Sequence, residues 1–299
     1  MSNELNHDVS VVVTAYKHES FIRECLDSIL NQTLQPSKLI VIDDCSQDRT
    51  KAICLDWLEE ACPKFEVVFK FHEQNLGICK SLNEALLEID TNFYCHVSAD
   101  DWIEPARLES QLKAAQNENT STSLIISSIR EVDINGETIV DHDFGQKLSK
   151  YSGLQVDGSL LTKLLSENII PAPAVLIRTN SVREIGGYDE SLAFEDYDLW
   201  LRLSKVSKIV YVDEIVANYR ILNTSMLRNK NRFAALKLSE AEMLFKHAGQ
   251  SDENDRIISE RISGIKEEII HGNAGKKAVR SLNSMIRKIR NRKMIEKSN

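Results

Sequence analysis

No apolar stretch in this 299-residue sequence approaches the ~18–20 residues that a membrane-spanning helix needs; the longest, IIPAPAVLI, is broken by Pro171 and Pro173. The opening MSNELNHDVSVVV has no basic segment ahead of an apolar one, so it does not read as a secretory signal. Cysteine occurs at positions 25, 45, 54, 62, 79 and 95, never as C-x-x-C and never in a His-rich neighbourhood. That spacing argues against a zinc site or disulfide framework and for a reduced, cytoplasmic protein. Glycine is scarce, with 11 residues and neither G-x-G-x-x-G nor G-x-x-x-x-G-K-[ST] among them, which argues against an ordinary dinucleotide-binding dehydrogenase or a Walker-type phosphate-loop enzyme. Internal repeats and low-complexity segments are absent. A net charge of −8 argues against general nucleic-acid binding.

That charge is unevenly spread. Residues 276–299 hold nine Lys/Arg against the single acid Glu296, a local +8, while the first 275 residues sum to −16. The C-terminus is therefore a separate object. Over 276–293 the apolar residues Ala278, Val279, Leu282, Met285, Ile286 and Ile289 recur at three and four, one face of a basic amphipathic helix. Such a helix suits either an anionic membrane surface or packing on its own domain or a second subunit, as in a homodimer.

The 42% hydrophobic content suffices for a sizeable core. Apolar runs at 9–13, 38–42, 66–71 and 93–97 read as buried strands, alternating with helical periodicity over FIRECLDSIL, 48–60 and 79–89. Near-continuous apolar strands between helices predict an α/β fold with a largely parallel sheet covered on both faces. After residue 120, two strands surround the Asn135-Gly136 turn, helices follow near 158–167 and over FEDYDLWLRL, and KIVYV and IVANYR read as two later strands. From about 230 the sequence is helical and polar.

Ligands of such sheets bind beyond the carboxyl ends of the strands. There the sequence places Thr14 and Tyr16, then Asp43 and Asp44, then Asp100 and Asp101. Without a glycine-rich cradle a diphosphate needs another counter-charge, and Mg²⁺ or Mn²⁺ on the Asp100–Asp101 pair supplies it. The same residues have plainer readings. Asp100 and Asp101 can cap the helix that begins near Pro105, Glu195 and Asp196 can cap the helix they open, Asp44 suits a turn, and Lys80 suits a solvated helix face. Residue type alone leaves both sets open.

Five blocks in order (VSVVVTAYKHESFIRECLDSILNQTL, LIVIDDCSQDRT, NLGICKSLNEAL, VSADDWIEP and GGYDESLAFEDYDLWLRL) resemble the inverting glycosyltransferases of family 2, over about residues 8–222. The resemblance implies a GT-A fold: a largely parallel Rossmann-like sheet with helices on both faces, here with a C-terminal helical extension. It implies a glycosyltransferase domain over 1–225, with a nucleotide-binding half to about 120 and an acceptor half beyond, and an extension over 226–299. It places Thr14 and Tyr16 at the nucleotide, Asp44 at the base, Lys80 and Asn83 near the ribose or phosphates, Asp100 at the ribose or metal, Asp101 on the metal, and Asp196, beside Glu195, as catalytic base. The implied reaction is Mn²⁺- or Mg²⁺-dependent transfer of a single sugar from a UDP-sugar to a saccharide, suggesting a lipid-linked acceptor in bacterial surface polysaccharide or lipopolysaccharide synthesis. Three positions depart from the pattern. Ser98 replaces a third acid, Leu82 a frequent arginine, and Asn223 lies near a frequent metal-associated histidine. The Q-x-x-R-W motif of processive relatives is missing. The alternatives are a non-catalytic nucleotide-sugar-binding subunit and, from another enzyme class, a sugar-nucleotide pyrophosphorylase.

Overall fold

The β-branched run VSVVVTA forms β1 (Val9–Ala15), buried along its whole length. Successive side chains point to opposite faces of the sheet, so Val9, Val11 and Val13 enter one apolar cluster and Val12 the other. The computed structural model describes residues 8–118, 120–154, 156–222, 233–271 and 276–296. α1 (Ile22–Leu30) buries Ile22, Cys25, Leu26 and Ile29, the face its periodicity marked. β2 (Lys38–Asp43), α2 (Thr50–Ala61), β3 (Glu66–Phe71), α3 (Ile78–Glu88) and β4 (Phe93–Ser98) complete the alternating half.

In this half the strands pair in parallel, β3-β2-β1-β4, with Ala15 opposite Asp43, Asp43 opposite Phe71 and Thr14 opposite Ser98. That register brings the carboxyl ends of the four strands level on one rim. Beyond β4 the direction reverses. β5 (Trp102–Ile103) and α4 (Arg107–Gln116) lead to the long β6 (Thr122–Val132), which turns back through β7 (Thr138–His142). The turn is built by Asp133, whose carboxylate accepts the N–H of Asn135 and of Glu137, with Gly136 at φ +87°. β8 (Val175–Arg178) lies antiparallel between β4 and β6, and β9 (Lys208–Arg220) runs parallel to β6 and carries β5 on its other edge. The sheet is thus parallel in its first half and mixed as a whole. KIVYV and IVANYR, which read as two strands, are one. The register with β6 shifts between Ile126–Tyr211 and Ser128–Ile215, so the exposed acids Asp213 and Glu214 bulge out without ending the strand.

α5 (Gly145–Leu148), α6 (Ser159–Ser166), α7 (Thr179–Glu184) and α8 (Asp196–Leu203) lie in the second half. α9 (Phe233–Lys246), α10 (Asp252–His271) and α11 (Lys276–Glu296) follow as the expected helical extension. These three share a hydrophobic cluster with α3, α6, α8 and one face of the sheet, while α1, α2 and α4 cover the other face. On α11, Leu282, Ile286 and Ile289 are buried and Ala278, Val279 and Met285 pack against the same cluster. Of the two uses of the amphipathic tail, the structure therefore shows packing on its own chain, and the apolar stripe is not free to enter a lipid surface. Arg280, Arg287 and Lys288 face outward. No helix among the described residues is long and apolar enough to cross a membrane. All six cysteines are free.

Candidate active site

The level strand ends create the site. At the end of β1, Thr14 Oγ1 lies 2.8 Å from His96 Nε2. Two residues on, Tyr16 is 41% exposed on the rim, with the Lys17 ammonium over its ring. At the end of β2, Asp44 is turned inward. Its carboxylate accepts the N–H groups of Leu76 (2.7 Å) and Gly77 (2.9 Å) and lies 2.8 Å from His72 Nδ1. His72 reaches Glu84 with its other nitrogen, at 3.1 Å. Asp44 therefore shapes the loop that starts α3, and one acceptor position of Oδ2 remains for a ligand.

On α3, Lys80 is half-buried, and its ammonium has no hydrogen bond or ion pair among the described residues. Asn83 is committed elsewhere. Its amide donates to the Tyr188 carbonyl and to Glu190, and its oxygen accepts the Tyr188 N–H at 2.8 Å. It clamps the turn that leads into α8 and does not face the rim. Gly187 in that turn has φ +76°, and a Cβ there would meet Asn83 Oδ1 at 2.6 Å.

The two acids after β4 part company. Asp100 receives the Ser98 hydroxyl on Oδ1, and its Oδ2 stands 3.9 Å from His18 Nε2. Asp101 is 3% exposed, and its Oδ1 accepts the Arg220 backbone N–H at 2.8 Å. Burial, and next the Asp100 charge, push the Asp101 carboxyl well above the usual carboxylate range. Its carboxylate joins β9 to the strand end, while Asp100 lies partly exposed on the rim. Neither caps α4, whose N-cap is Ala106 without a side-chain bond.

Arg220 ties this corner together. Its guanidinium donates to the carbonyls of Asp100, Asp133 and Ile134 and to Glu24, and it lies 4.8 Å from the ring centroids of both Phe21 and Trp102. Residue type gave no hint of this, because the contacts span most of the chain. Asn223 lies outside the described residues.

Across the rim, Glu195 and Asp196 begin α8, where the helix N-terminus favours negative charge. Glu195 makes no capping bond. Burial, then the Asp196 charge, raises the Glu195 carboxyl to about 8; burial also raises Asp196. Asn168 Nδ2 lies 3.4 Å from Asp196 Oδ2, and His96 Nδ1 lies 3.9 Å from Glu195 Oε1. Burial and then the Arg107 charge lower His96 to about 4, so its ring is neutral. His96 was missed in the sequence, although a polar residue inside FYCHV was the available signal.

Among the described residues no group of three or more His, Cys, Asp or Glu side chains could hold a metal. The donor set nevertheless suits a hard divalent cation shared with a diphosphate, which characteristically needs only one or two carboxylates. Asp100 provides one carboxylate, and His18 stands beside it with Nδ1 buried and unpartnered.

Residues 10–166 match the family model described as Glycosyl transferase family 2. An uncharacterized glycosyltransferase of Rickettsia typhi is 26% identical over 79% of this chain and 74% of its own length. One of Methanocaldococcus jannaschii is 27% identical over 72% and 71%. For two further Rickettsia relatives the match spans 64% and 29% of their lengths. Among solved structures, S. aureus TarS 1–349 in complex with UDP-GlcNAc has a TM-score of 0.61 at 21% identity, covering 85% of this chain and 71% of that one. The mannosyltransferase PcManGT of Pyrobaculum calidifontis, in complex with GDP-Man and Mn²⁺, has a TM-score of 0.59 at 15% identity, covering 93% and 73%. Both likenesses show the fold.

Proposed function

Because this chain belongs to glycosyl transferase family 2, and is therefore a glycosyltransferase, we propose that it moves a single sugar from a UDP-sugar to a saccharide hydroxyl with inversion at the anomeric carbon. The observation that carries this reading is the Glu195–Asp196 pair, half-buried at the start of α8 and facing His96, which stands 3.9 Å from Glu195 and 2.8 Å from Thr14 at the end of β1. The nucleotide-binding half is about 1–120, the acceptor half 121–225 and the helical extension 226–299.

Thr14, Tyr16 and the free acceptor position of Asp44 receive the nucleoside, and Lys80 offers an uncommitted cation to the diphosphate. Asn83 acts indirectly, by holding the turn before α8. Asp100 would hold Mn²⁺ or Mg²⁺ with the diphosphate, and the ion would offset charge on the departing UDP. Asp196 takes the proton of the acceptor hydroxyl. The acceptor oxygen bonds to the anomeric carbon from the face opposite the diphosphate, and the breaking C–O bond leaves its electron pair on UDP. Such a base characteristically contributes ~10²–10⁴-fold. Inversion makes an α-linked donor yield a β-linked product. The sugar transferred is a hexose or N-acetylhexosamine, and TarS, solved with UDP-GlcNAc, supports a UDP donor. The outward cations of α11 suit a lipid-linked acceptor at the cytoplasmic face of a membrane, drawing the enzyme there by charge rather than by insertion.

The test is UDP release from a panel of UDP-sugars, with Mn²⁺ and with chelator. Release that requires an acceptor saccharide and falls on chelation supports the reading. Tight UDP-sugar binding with no turnover of any donor would instead assign the chain as a nucleotide-sugar-binding subunit.

A further inference from the structure

His96 stands between the end of β1 and the acid pair that opens α8. Val12 pairs with His96 across β1 and β4, and Thr14 with Ser98. His96 thus falls on the sheet face shared with Val12 and Tyr94, beneath the start of α8. Its Nε2 lies 2.8 Å from Thr14 Oγ1 and its Nδ1 3.9 Å from Glu195 Oε1, whereas the neighbouring Asp196 carboxylate faces Asn168. The two adjacent acids therefore have different partners.

Resting on the reading of Asp196 as base, we infer that His96 is its positioning residue: by bridging Thr14 and Glu195 it keeps the proton of the acid pair on Glu195 and leaves Asp196 open to the acceptor hydroxyl. Two interacting, partly buried carboxyls titrate as a pair and hold one proton between them over an intermediate pH range. Which of them holds it decides whether a base exists. A neutral imidazole has one N–H. If Nε2–H donates to Thr14, the Nδ1 lone pair faces Glu195 and accepts from its carboxylic O–H, stabilising Glu195 as the protonated member. The opposite tautomer aims an N–H at Glu195, favours its ionised form and sends the proton to Asp196, which then cannot accept another. The 3.9 Å gap between Nδ1 and Oε1 closes as acceptor binds, since catalytic hydrogen bonds commonly tighten in the reactive complex.

Other charged and titratable groups face the two residues. Asp100 raises His96 and Arg107 lowers it. Cys79 and Tyr188 face Glu195; burial first, then neighbouring groups including Glu195, raises the Cys79 thiol to about 12 and the Tyr188 phenol well above its usual range. Both remain neutral through the pH range in which the pair loses its proton, so the pH response belongs to Glu195 and Asp196.

Two measurements on the full chain test this. In ¹⁵N–¹H spectra, with the His96 signals assigned by their loss in His96→Leu, the ring should be the neutral Nε2–H tautomer and should not titrate near neutral pH. An Nδ1–H tautomer or a ring protonated at neutral pH overturns the inference, whether or not a donor has been found. In UDP-release kinetics, His96→Leu should lower kcat by ~10-fold or more near pH 7, with UDP affinity retained. The deficit should shrink at the more alkaline pH at which the pair gives up its shared proton, raised by burial and by the mutual charge of the two acids, because both acids are then charged and Asp196 is free. His96→Asn, whose amide oxygen takes the place of Nδ1, should recover much of the loss. An equal deficit at every pH, or no rescue by Asn, would show that His96 merely fills space. Wild-type protein without turnover on any donor refutes the sugar-transfer reading, and the tautomer measurement still decides the role of His96.

Discussion

Replacing Asp101 by alanine separates a structural acid from a metal ligand. Asp101 Oδ1 accepts the buried Arg220 N–H at 2.8 Å, and removing it leaves that donor without a partner. A buried donor stripped of its acceptor costs about 1–3 kcal/mol. The rest of the Arg220 knot persists, including its bonds to the Asp100 and Ile134 carbonyls at 3.0 and 2.7 Å, so unfolding of the corner is not expected. For a domain of this size each kcal/mol lowers Tm by about 2–4 °C. Asp101→Ala should therefore melt several degrees early by scanning calorimetry while keeping Mn²⁺-dependent UDP affinity in titrations at low temperature. Asp101→Asn retains an acceptor oxygen and should recover most of the stability. Asp100→Ala should behave in the opposite way, with an ordinary Tm and no metal-stimulated UDP binding. An Asp101→Ala protein that melts like wild type but no longer binds UDP with Mn²⁺ would refute this reasoning and return the metal to Asp101.

Asp196→Asn preserves shape and removes the basic oxygen, so kcat should drop by ~10²-fold or more with UDP affinity little changed; near-normal turnover would make Asp196 a helix-terminal acid only. Gly187→Ala puts a Cβ 2.6 Å from Asn83 Oδ1 at φ +76°, and the left-handed backbone alone costs a non-glycine residue about 1–2 kcal/mol. Asn83→Ala removes the obstruction, so chemical denaturation of the double variant should show clear non-additivity, whereas additive losses would deny the clamp. Reversing Arg280, Arg287 and Lys288 to glutamate should abolish low-salt pelleting with anionic liposomes while leaving Tm nearly unchanged; equal pelleting of the two proteins would reject the electrostatic contact. Truncation after Gly275 should instead destabilise, since Leu282, Ile286 and Ile289 are lost from the core, at about 1.5–3 kcal/mol for each fully buried side chain.

Much of the architecture was legible locally. The β-branched runs at 9–13 and 38–42, the three-four spacing of Ile22, Cys25, Leu26 and Ile29, and the Asn135-Gly136 turn each encode their element through backbone preference and one buried face, which need no distant partner. The alternation of strand and helix was enough to place Thr14, Asp44 and Asp100 at one sheet edge. What local pattern could not decide was which way an acid points once there. Asp100 and Asp101 are neighbours of one residue type, yet Arg220, over a hundred positions away, takes Asp101 inward and leaves Asp100 on the rim. In the same way Asn83 turns to Tyr188 and the apolar face of α11 turns to its own core rather than to lipid. His96 acquires its neutral ring and its two neighbours only when β1, β4 and α8 meet. Side-chain orientation and protonation follow from desolvation and from partners far along the chain, so these assignments belonged to the tertiary structure, while the elements and their order belonged to the sequence.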